Sequence, residues 1–123
     1  MATTVLNFGH PLSDDAQRQL AEVVGEFEST QVRVHLDMIH PLARQVSAIV
    51  AGIPLSPEQW ATVPLVVVLP GSSVAAALVL TEIHGRCGYF PRIATLVSGE
   101  DRVFRLGEIL DLAAVRNAAR QTR

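Results

Sequence analysis

The feature that most constrains this sequence is an apolar strand followed at once by a short turn and an apolar helix. Five apolar residues, Leu65–Leu69, precede Pro70-Gly71-Ser72-Ser73, and helix-forming residues then continue to Glu82. A strand without polar positions is typical of the middle of a sheet covered on both faces. The turn leads into a helix N-terminus, where unpaired backbone N–H groups and the helix dipole favour an anion. The unit therefore predicts an α/β fold with an anion-binding turn.

The composition indicates one compact domain over residues 1–123. Hydrophobic residues make up 49% of the chain, charged residues 18%, and the formal net charge is −2. These values are typical of a folded chain that buries its own core. The single cysteine, Cys87, excludes internal disulfides and cysteine-based metal sites and fits a reducing cytosol.

Charge and hydropathy patterns argue against two kinds of partner. All ten basic residues are arginine, and they are spread along the chain without a basic run. This distribution argues against binding to duplex nucleic acid. The N-terminus lacks the features of a signal peptide, and the longest apolar run, Val74–Leu80, is too short to span a bilayer. We therefore expect a cytoplasmic protein without a membrane partner.

Periodic apolar positions and turn residues predict the order β-α-β-α-β-α-β-β-α, with one additional short helix. The predicted strands are Val5–Phe8, Gln31–Ile39, Leu65–Leu69, Ile93–Val97 and Val103–Leu106. The predicted helix starts are marked by Ser13, Pro41, Ser56, Ser72 or Ser73, and Asp111, and the predicted stops by Gly25, Gly85 and Gly88. Alternating polar residues place Gln31–Ile39 at a sheet edge. The order predicts a three-layer, Rossmann-like α/β domain with about five strands, mainly parallel, and an antiparallel last strand.

Three loops are expected at the edge of the sheet where parallel strands end. They are Asn7-Phe8-Gly9-His10, His40, and Pro70-Gly71-Ser72-Ser73. Open α/β sheets bind ligands at this edge, where the strand order reverses. With strand order 2-1-3-4, the first and third loops share one crevice, and their side chains are candidates to bind phosphate, ribose and base edges. The alternative is structural: a serine that only caps its helix, and a His10-Pro11 turn that only opens one.

A second polar group, His84 and Arg86, follows the long apolar helix. About 18 Å of helix separates it from Gly71, at about 1.5 Å per residue, so it belongs at the opposite edge of the sheet. It is either the polar end of a buried helix or a surface that reaches a ligand held by a neighbouring protomer.

The sequence offers little for catalysis and nothing typical of a metal or cofactor site. His10 is the only plausible general base at the crevice. Cys87 beside Arg86 is either a partly buried structural thiol, which we favour, or a reactive one. The turn lacks the lysine of a Walker loop and the three glycines of a dinucleotide fingerprint.

Four motifs in order resemble the CRISPR-associated Csx-fifteen family over nearly the whole chain. They are Asn7-Phe8-Gly9-His10-Pro11-Leu12, Leu69–Ser73 with its Ala/Val/Leu helix, His84-Gly85-Arg86-x-Gly88-x-Phe90-Pro91, and Glu108-Ile109-Leu110-Asp111-Leu112 with Val115-Arg116. Gly9 stands where we expect a serine in the family, a departure that would remove one hydroxyl contact.

The resemblance implies an accessory protein of type III CRISPR antiviral defence, with a fold related to CARF domains and small ring nucleases. It implies recognition of the second messenger cyclic oligoadenylate, with cyclic tetra-adenylate as the expected ring, by a homodimer or larger homo-oligomer whose two-fold symmetry suits the ring. Asn7, His10, Gly71, Ser72 and Ser73 would hold the ring, with His84 and Arg86 as a second layer.

Two mechanisms and two other classes of function stay open from the sequence. A sponge would bind and sequester the messenger, whereas a metal-independent ring nuclease would align a ribose hydroxyl with the adjacent phosphorus. The absence of a lysine at the turn and of a clear base favours sequestration. The other classes are a generic nucleotide- or phosphometabolite-binding α/β domain and a purely structural interaction module.

Overall fold

The computed structural model describes residues 2–123 as five strands and five helices around one sheet. The strands are β1 (Thr3–Asn7), β2 (Phe27–Gln31), β3 (Leu65–Val68), β4 (Arg92–Ser98) and β5 (Phe104–Asp111). The helices are α1 (Asp14–Val24), α2 (Leu42–Ala51), α3 (Pro57–Thr62), α4 (Ser73–Cys87) and α5 (Leu112–Arg120). The sheet order is β2-β1-β3-β4-β5, parallel except for β5, which runs antiparallel to β4. The predicted Rossmann-like α/β fold is confirmed.

The two faces of the sheet bury separate cores, because successive side chains of a strand point to opposite faces. Leu6 and Val67 contribute to a large core with residues of α2, α3 and α4. Val5 and Val66 contribute to a smaller core beneath Leu20 of α1. All four residues of β3 are buried, so β3 lies in the middle of the sheet and is covered on both faces, as its apolar run predicts.

Side-chain caps explain where four of the helices begin. Ser13, Ser56, Ser72 and Asp111 each accept a hydrogen bond from the backbone N–H three residues ahead, at 3.0, 3.1, 3.4 and 3.1 Å. Each such bond satisfies one of the four N–H groups that a helix start leaves unpaired. Ser56 and Gln59 complete a reciprocal capping box at α3. The helix starts predicted at these four residues are confirmed.

The predicted second strand, Gln31–Ile39, is wrong in its position. The strand is β2, Phe27–Gln31, because Gly25 ends α1 with a φ of 76° and leaves Phe27 outside the helix. The ladder ends with Asn7 opposite Gln31, and one more bond joins the Val32 N–H to the Asn7 carbonyl at 2.8 Å. Residues 32–38 then continue without a strand partner, because β1 offers no further residue. The predicted place at the edge of the sheet is confirmed.

The strands β4 and β5 form a hairpin that is longer than predicted and extends past the end of β3. β3 pairs with β4 only at Val66–Arg92 and Val67–Ile93, whereas the β4–β5 ladder continues to Ser98 opposite Phe104. About four residues of β4 therefore project beyond Val68, the last residue of β3, roughly 13 Å at about 3.3 Å per residue. The projecting hairpin forms a wall above the central strands.

The helix α4 is longer than predicted at its C-terminal end. It passes through Gly85, which was expected to end it, and stops at Gly88, whose φ of 79° suits a residue without a side chain. Its 15 residues span about 22 Å at about 1.5 Å per residue. No helix within residues 2–123 has both the length and the apolar character needed to cross a membrane.

Candidate functional site

A pocket of about 710 Å³ opens at the carboxyl ends of β1 and β3. β1 and β3 are paired from Thr4–Leu65 to Asn7–Val68. β2 lies on the other side of β1, and β4 lies on the other side of β3, so the strand order reverses at this pair. This is the position at which open α/β sheets bind ligands. The volume lies within the range of about 300–1,000 Å³ that is usual for small-molecule sites.

The loops that leave β1 and β3 are in direct contact, as the sequence predicts for neighbouring strands. The Phe8 N–H donates to the Val68 carbonyl at 2.8 Å. A Cβ atom added at Gly9 would lie 3.1 Å from the Leu69 carbonyl oxygen and 3.2 Å from Cγ1 of Val68. The close approach of the two loops therefore favours glycine at position 9, and a serine there would need its neighbours to shift.

Asn7 is buried inside the first loop, with a relative exposure of 0%. Its Nδ2 donates to the His10 carbonyl at 2.7 Å, and its Oδ1 accepts from the Gly9 N–H at 2.9 Å. Both halves of the amide are thus used within residues 7–10. The structure gives Asn7 the role of holding the loop in shape, which differs from the ligand contact that the sequence predicted.

His10 and Phe104 form a stacked aromatic pair at the pocket. Their ring centroids are 4.2 Å apart and their planes differ by 17°. Both rings line the pocket; His10 is exposed, and Phe104 is half-buried. The Ser13 hydroxyl, besides capping α1, donates to the Phe104 carbonyl and so ties the start of β5 to the loop after β1.

The N-terminus of α4 is open to the pocket. Gly71 and Ser72 line it, and Ser73 is exposed beside them. A Cβ atom at Gly71 would meet no other atom within 4 Å, so no side chain of the described residues fills the space above the turn. The Ser72 hydroxyl accepts from the Ala75 N–H at 3.4 Å, while the first N–H groups of α4 have no acceptor inside the helix. The geometry suits an anion.

Two walls extend the pocket beyond the ends of β1 and β3. One is the projecting β4–β5 hairpin, which contributes Thr95, Leu96 and Phe104. The other is the unpaired segment of residues 32–38, whose alternate side chains Val34, Leu36 and Met38 also line the pocket. Sequence reasoning missed both walls. The alternation of residues 32–38 is the sequence signal for one of them, although alternation by itself indicates a strand and not a pocket wall.

The pocket is mostly apolar and nearly uncharged. Among the described residues that line it, His10 is the one titratable side chain. Polar groups come from Ser72, Thr95 and the backbone, and the Thr95 hydroxyl already accepts from the Glu108 N–H at 3.0 Å. Residues 2–123 contain no group of three or more His, Cys, Asp or Glu side chains able to hold a metal ion. An anion here would depend on backbone N–H groups.

His40 is not among the residues that line the pocket. Its Nδ1 lies 2.7 Å from Oδ2 of Asp37, and its side chain is 65% exposed. Contacts with Gln45 of α2 explain the position of His40. The Gln45 side chain accepts from the Asp37 N–H at 2.8 Å and donates to the Asp37 carbonyl at 2.9 Å. These bonds hold the turn before α2 outside the crevice.

His84 and Arg86 lie at the other end of α4 from the pocket, as predicted. The His84 ring packs against Phe90 with centroids 4.4 Å apart. Arg86 pairs with Glu82 of the same helix at 3.4 Å, and the Arg116 guanidinium lies 5.6 Å from the centroid of Phe90. Within one protomer, these side chains therefore contact their own surroundings and not the pocket.

Cys87 has the surroundings of a structural thiol. It is buried, and its Sγ donates to the Tyr89 carbonyl at 3.1 Å. Burial raises the pKa of the thiol above its ordinary value, so the reactive thiolate is disfavoured at neutral pH. The interpretation of Cys87 as part of the packing agrees with this geometry.

Comparisons with protein-family models, with curated proteins and with solved structures found no match to this chain.

Proposed function

We propose that this protein binds cyclic oligoadenylate, most simply cyclic tetra-adenylate, and lowers its free concentration by sequestration in type III CRISPR signalling. The observation that carries the proposal is the juxtaposition of an open helix N-terminus at Gly71–Ser73 with a stacked ring pair, His10 and Phe104, in one pocket. A cyclic oligonucleotide needs a place for phosphate and a place for a base. The identity of the messenger and of the pathway is inferred from the motif resemblance.

The phosphate would bind at the turn before α4. Backbone N–H groups at a helix start are aimed outward, and the positive end of the dipole adds to their attraction for an anion. The space over Gly71 is open, so a phosphate oxygen can approach the backbone closely. The Ser72 hydroxyl caps the helix and retains its own proton as a donor.

Sequestration is favoured over cleavage by the small number of proton-transferring groups. A ring nuclease at this site would have His10 as its single titratable side chain among the described pocket residues. General acid–base catalysis of phosphodiester cleavage benefits from two such groups, one to take a proton and one to give it. A binder needs neither, and it lowers the messenger concentration by mass action.

Calorimetric titration with cyclic tetra-adenylate tests the proposal. We expect saturable binding that is tighter than binding of ATP or linear tetra-adenylate, because a preformed ring loses less conformational freedom on binding. Chromatography of the same mixtures after incubation should recover the intact ring. Equal affinity for ATP would instead favour the generic nucleotide-binding domain, linear products would favour the nuclease, and no binding of any of the three would refute the proposal.

A pair of glycine variants tests where the phosphate binds. Gly71 and Gly85 stand near opposite ends of α4, and an added Cβ at either would meet nothing within 4 Å. Gly71→Glu places a carboxylate at the proposed anion site, and we expect at least about a tenfold loss of affinity from like-charge repulsion at close range. Gly85→Glu adds the same charge near the far end and should leave affinity unchanged. Equal effects of the two variants would argue against the turn as the phosphate site.

A further inference from the structure

The stacked pair of His10 and Phe104 is held in place by both parts of the chain that carry it. On one side, the Asn7 amide donates to the His10 carbonyl at 2.7 Å. On the other, the Ser13 hydroxyl donates to the Phe104 carbonyl. A ring pair whose backbone is fixed in advance loses little freedom when a ligand binds.

The residue after Phe104 adds a third anchor. Arg105 bonds Asp101 through two nitrogens at 3.2 and 2.8 Å, and its Nε donates to Asp15 at 3.1 Å. These contacts join the tip of the β4–β5 hairpin to the first turn of α1. The wall that carries Phe104 is therefore fastened to α1, the helix that follows the loop that carries His10.

The remaining pocket surface suits a flat, weakly polar group. The two walls present aliphatic side chains, among them Val34, Leu36 and Leu96. Beyond His10, the side chains that could bond a base edge are Ser72, which caps α4, and Thr95, which bonds Glu108. A group that enters here gains mainly from burial and stacking, as a nucleobase does on an aromatic platform.

We propose that the stacked rings of His10 and Phe104 form a base-stacking platform: one outer face of the pair takes one purine of the ligand, the second ring supports the first from behind, and the pair determines the preference for purine over pyrimidine. This inference rests on the proposed function, and it assigns His10 the role of a ring and not of a general base. Phe104, which sequence reasoning placed in an ordinary strand, becomes a specificity-determining residue. A larger base covers more of the platform, so purine rings should bind more tightly than pyrimidine rings.

Two pairs of variants separate a ring from a proton carrier. His10→Phe keeps an aromatic ring but removes both nitrogens, whereas His10→Ala removes the ring. Phe104→Tyr keeps the platform, whereas Phe104→Leu keeps an apolar side chain without a ring. Phe90→Leu makes the same change as Phe104→Leu, but in the ring that packs against His84 at the far end of α4 from the pocket. It is the matched control.

The probe is cyclic tetra-adenylate with one adenine replaced by the fluorescent base 2-aminopurine, whose emission is quenched when it stacks. Wild type, His10→Phe, Phe104→Tyr and Phe90→Leu should bind and quench alike. His10→Ala and Phe104→Leu should lose quenching and roughly tenfold to hundredfold in affinity, the range that base stacking on one aromatic side chain supplies. Cyclic tetra-uridylate should bind wild type more weakly, and this difference should shrink in the two platform variants.

Each outcome decides a separate point. If wild type binds the adenylate ring and His10→Ala and Phe104→Leu bind and quench like wild type, the platform is refuted while messenger binding stands. A His10→Phe variant as weak as His10→Ala refutes the ring role, because the imidazole nitrogens would then be needed. If wild type does not bind the ring, the proposed function and the platform both fail. Circular dichroism checks that each variant is folded. If Phe104→Leu does not fold, the comparison of His10→Phe with His10→Ala decides whether the platform binds the base.

Discussion

Replacing Asn7 tests the link between a buried hydrogen-bond network and the pocket. Asn7→Ala removes the bond from Nδ2 to the His10 carbonyl at 2.7 Å and the bond from the Gly9 N–H to Oδ1 at 2.9 Å. Each bond contributes about 1 kcal/mol, and a buried group left without a partner costs about 1–3 kcal/mol. Because these partners are only part-buried and regain some water, we expect a loss of roughly 2–3 kcal/mol in the free energy of unfolding.

Urea denaturation and ligand titration on the same preparation measure this prediction. A loss of that size should lower the melting temperature by roughly 10 °C for a domain of this length. Affinity for cyclic tetra-adenylate should fall as well, since the loop that carries His10 is no longer fixed. Ser56→Ala is the control, because it removes the cap of α3, which is not among the pocket residues. It should cost about 1 kcal/mol in stability and leave affinity unchanged.

Asn7→Asp makes the test more specific. The carboxylate still accepts from the Gly9 N–H but faces the His10 carbonyl oxygen, which repels it. Stability at pH 7 should be lower than that of wild type, and the deficit should shrink at pH 4, where a protonated carboxyl can again donate. If Asn7→Ala is as stable as wild type, or if it binds the ligand equally well, the positioning role assigned to Asn7 is refuted.

Three further predictions follow from other contacts. Gly107→Ala should lower the free energy of unfolding by about 1–3 kcal/mol, because the added Cβ would lie 2.5 Å from the Thr95 hydroxyl oxygen and 2.8 Å from Cγ2 of Val97; an unchanged urea midpoint would contradict it. Arg105 lowers the pKa of Asp101 from 3.8 to about 2, so this contribution to stability is present above pH 4 and lost as the pH falls toward 2. An acid titration of Arg105→Gln should therefore show a smaller stability loss over this interval than wild type, and parallel curves would argue against the ion pair. Ligand affinity should depend only weakly on salt between 50 and 500 mM, because no arginine or lysine lines the pocket within residues 2–123; a steep decrease would indicate direct contacts with arginine.

The sequence was sufficient for the parts of the protein that local patterns specify. An uninterrupted apolar run can be satisfied only in the middle of a covered sheet, so Leu65–Val68 was predictable as a central strand. Helix starts were predictable where a side chain such as Ser13 or Asp111 supplies the missing acceptor. The contact between the loops after β1 and β3 followed from the strand order, since parallel neighbours end at the same edge.

Tertiary structure decided what those patterns could not. An alternating segment forms a strand only if a neighbour extends far enough to pair with it, and residues 32–38 pass the end of β1 at Asn7. Because residues 32–38 have no strand partner, they line the pocket instead of extending the sheet. The stacking of His10 on Phe104 joins residues 94 positions apart in sequence, and no local pattern indicates it. Sequence therefore determined where a ligand could bind, whereas long-range packing decided which side chains surround it, because those contacts depend on how far each strand extends.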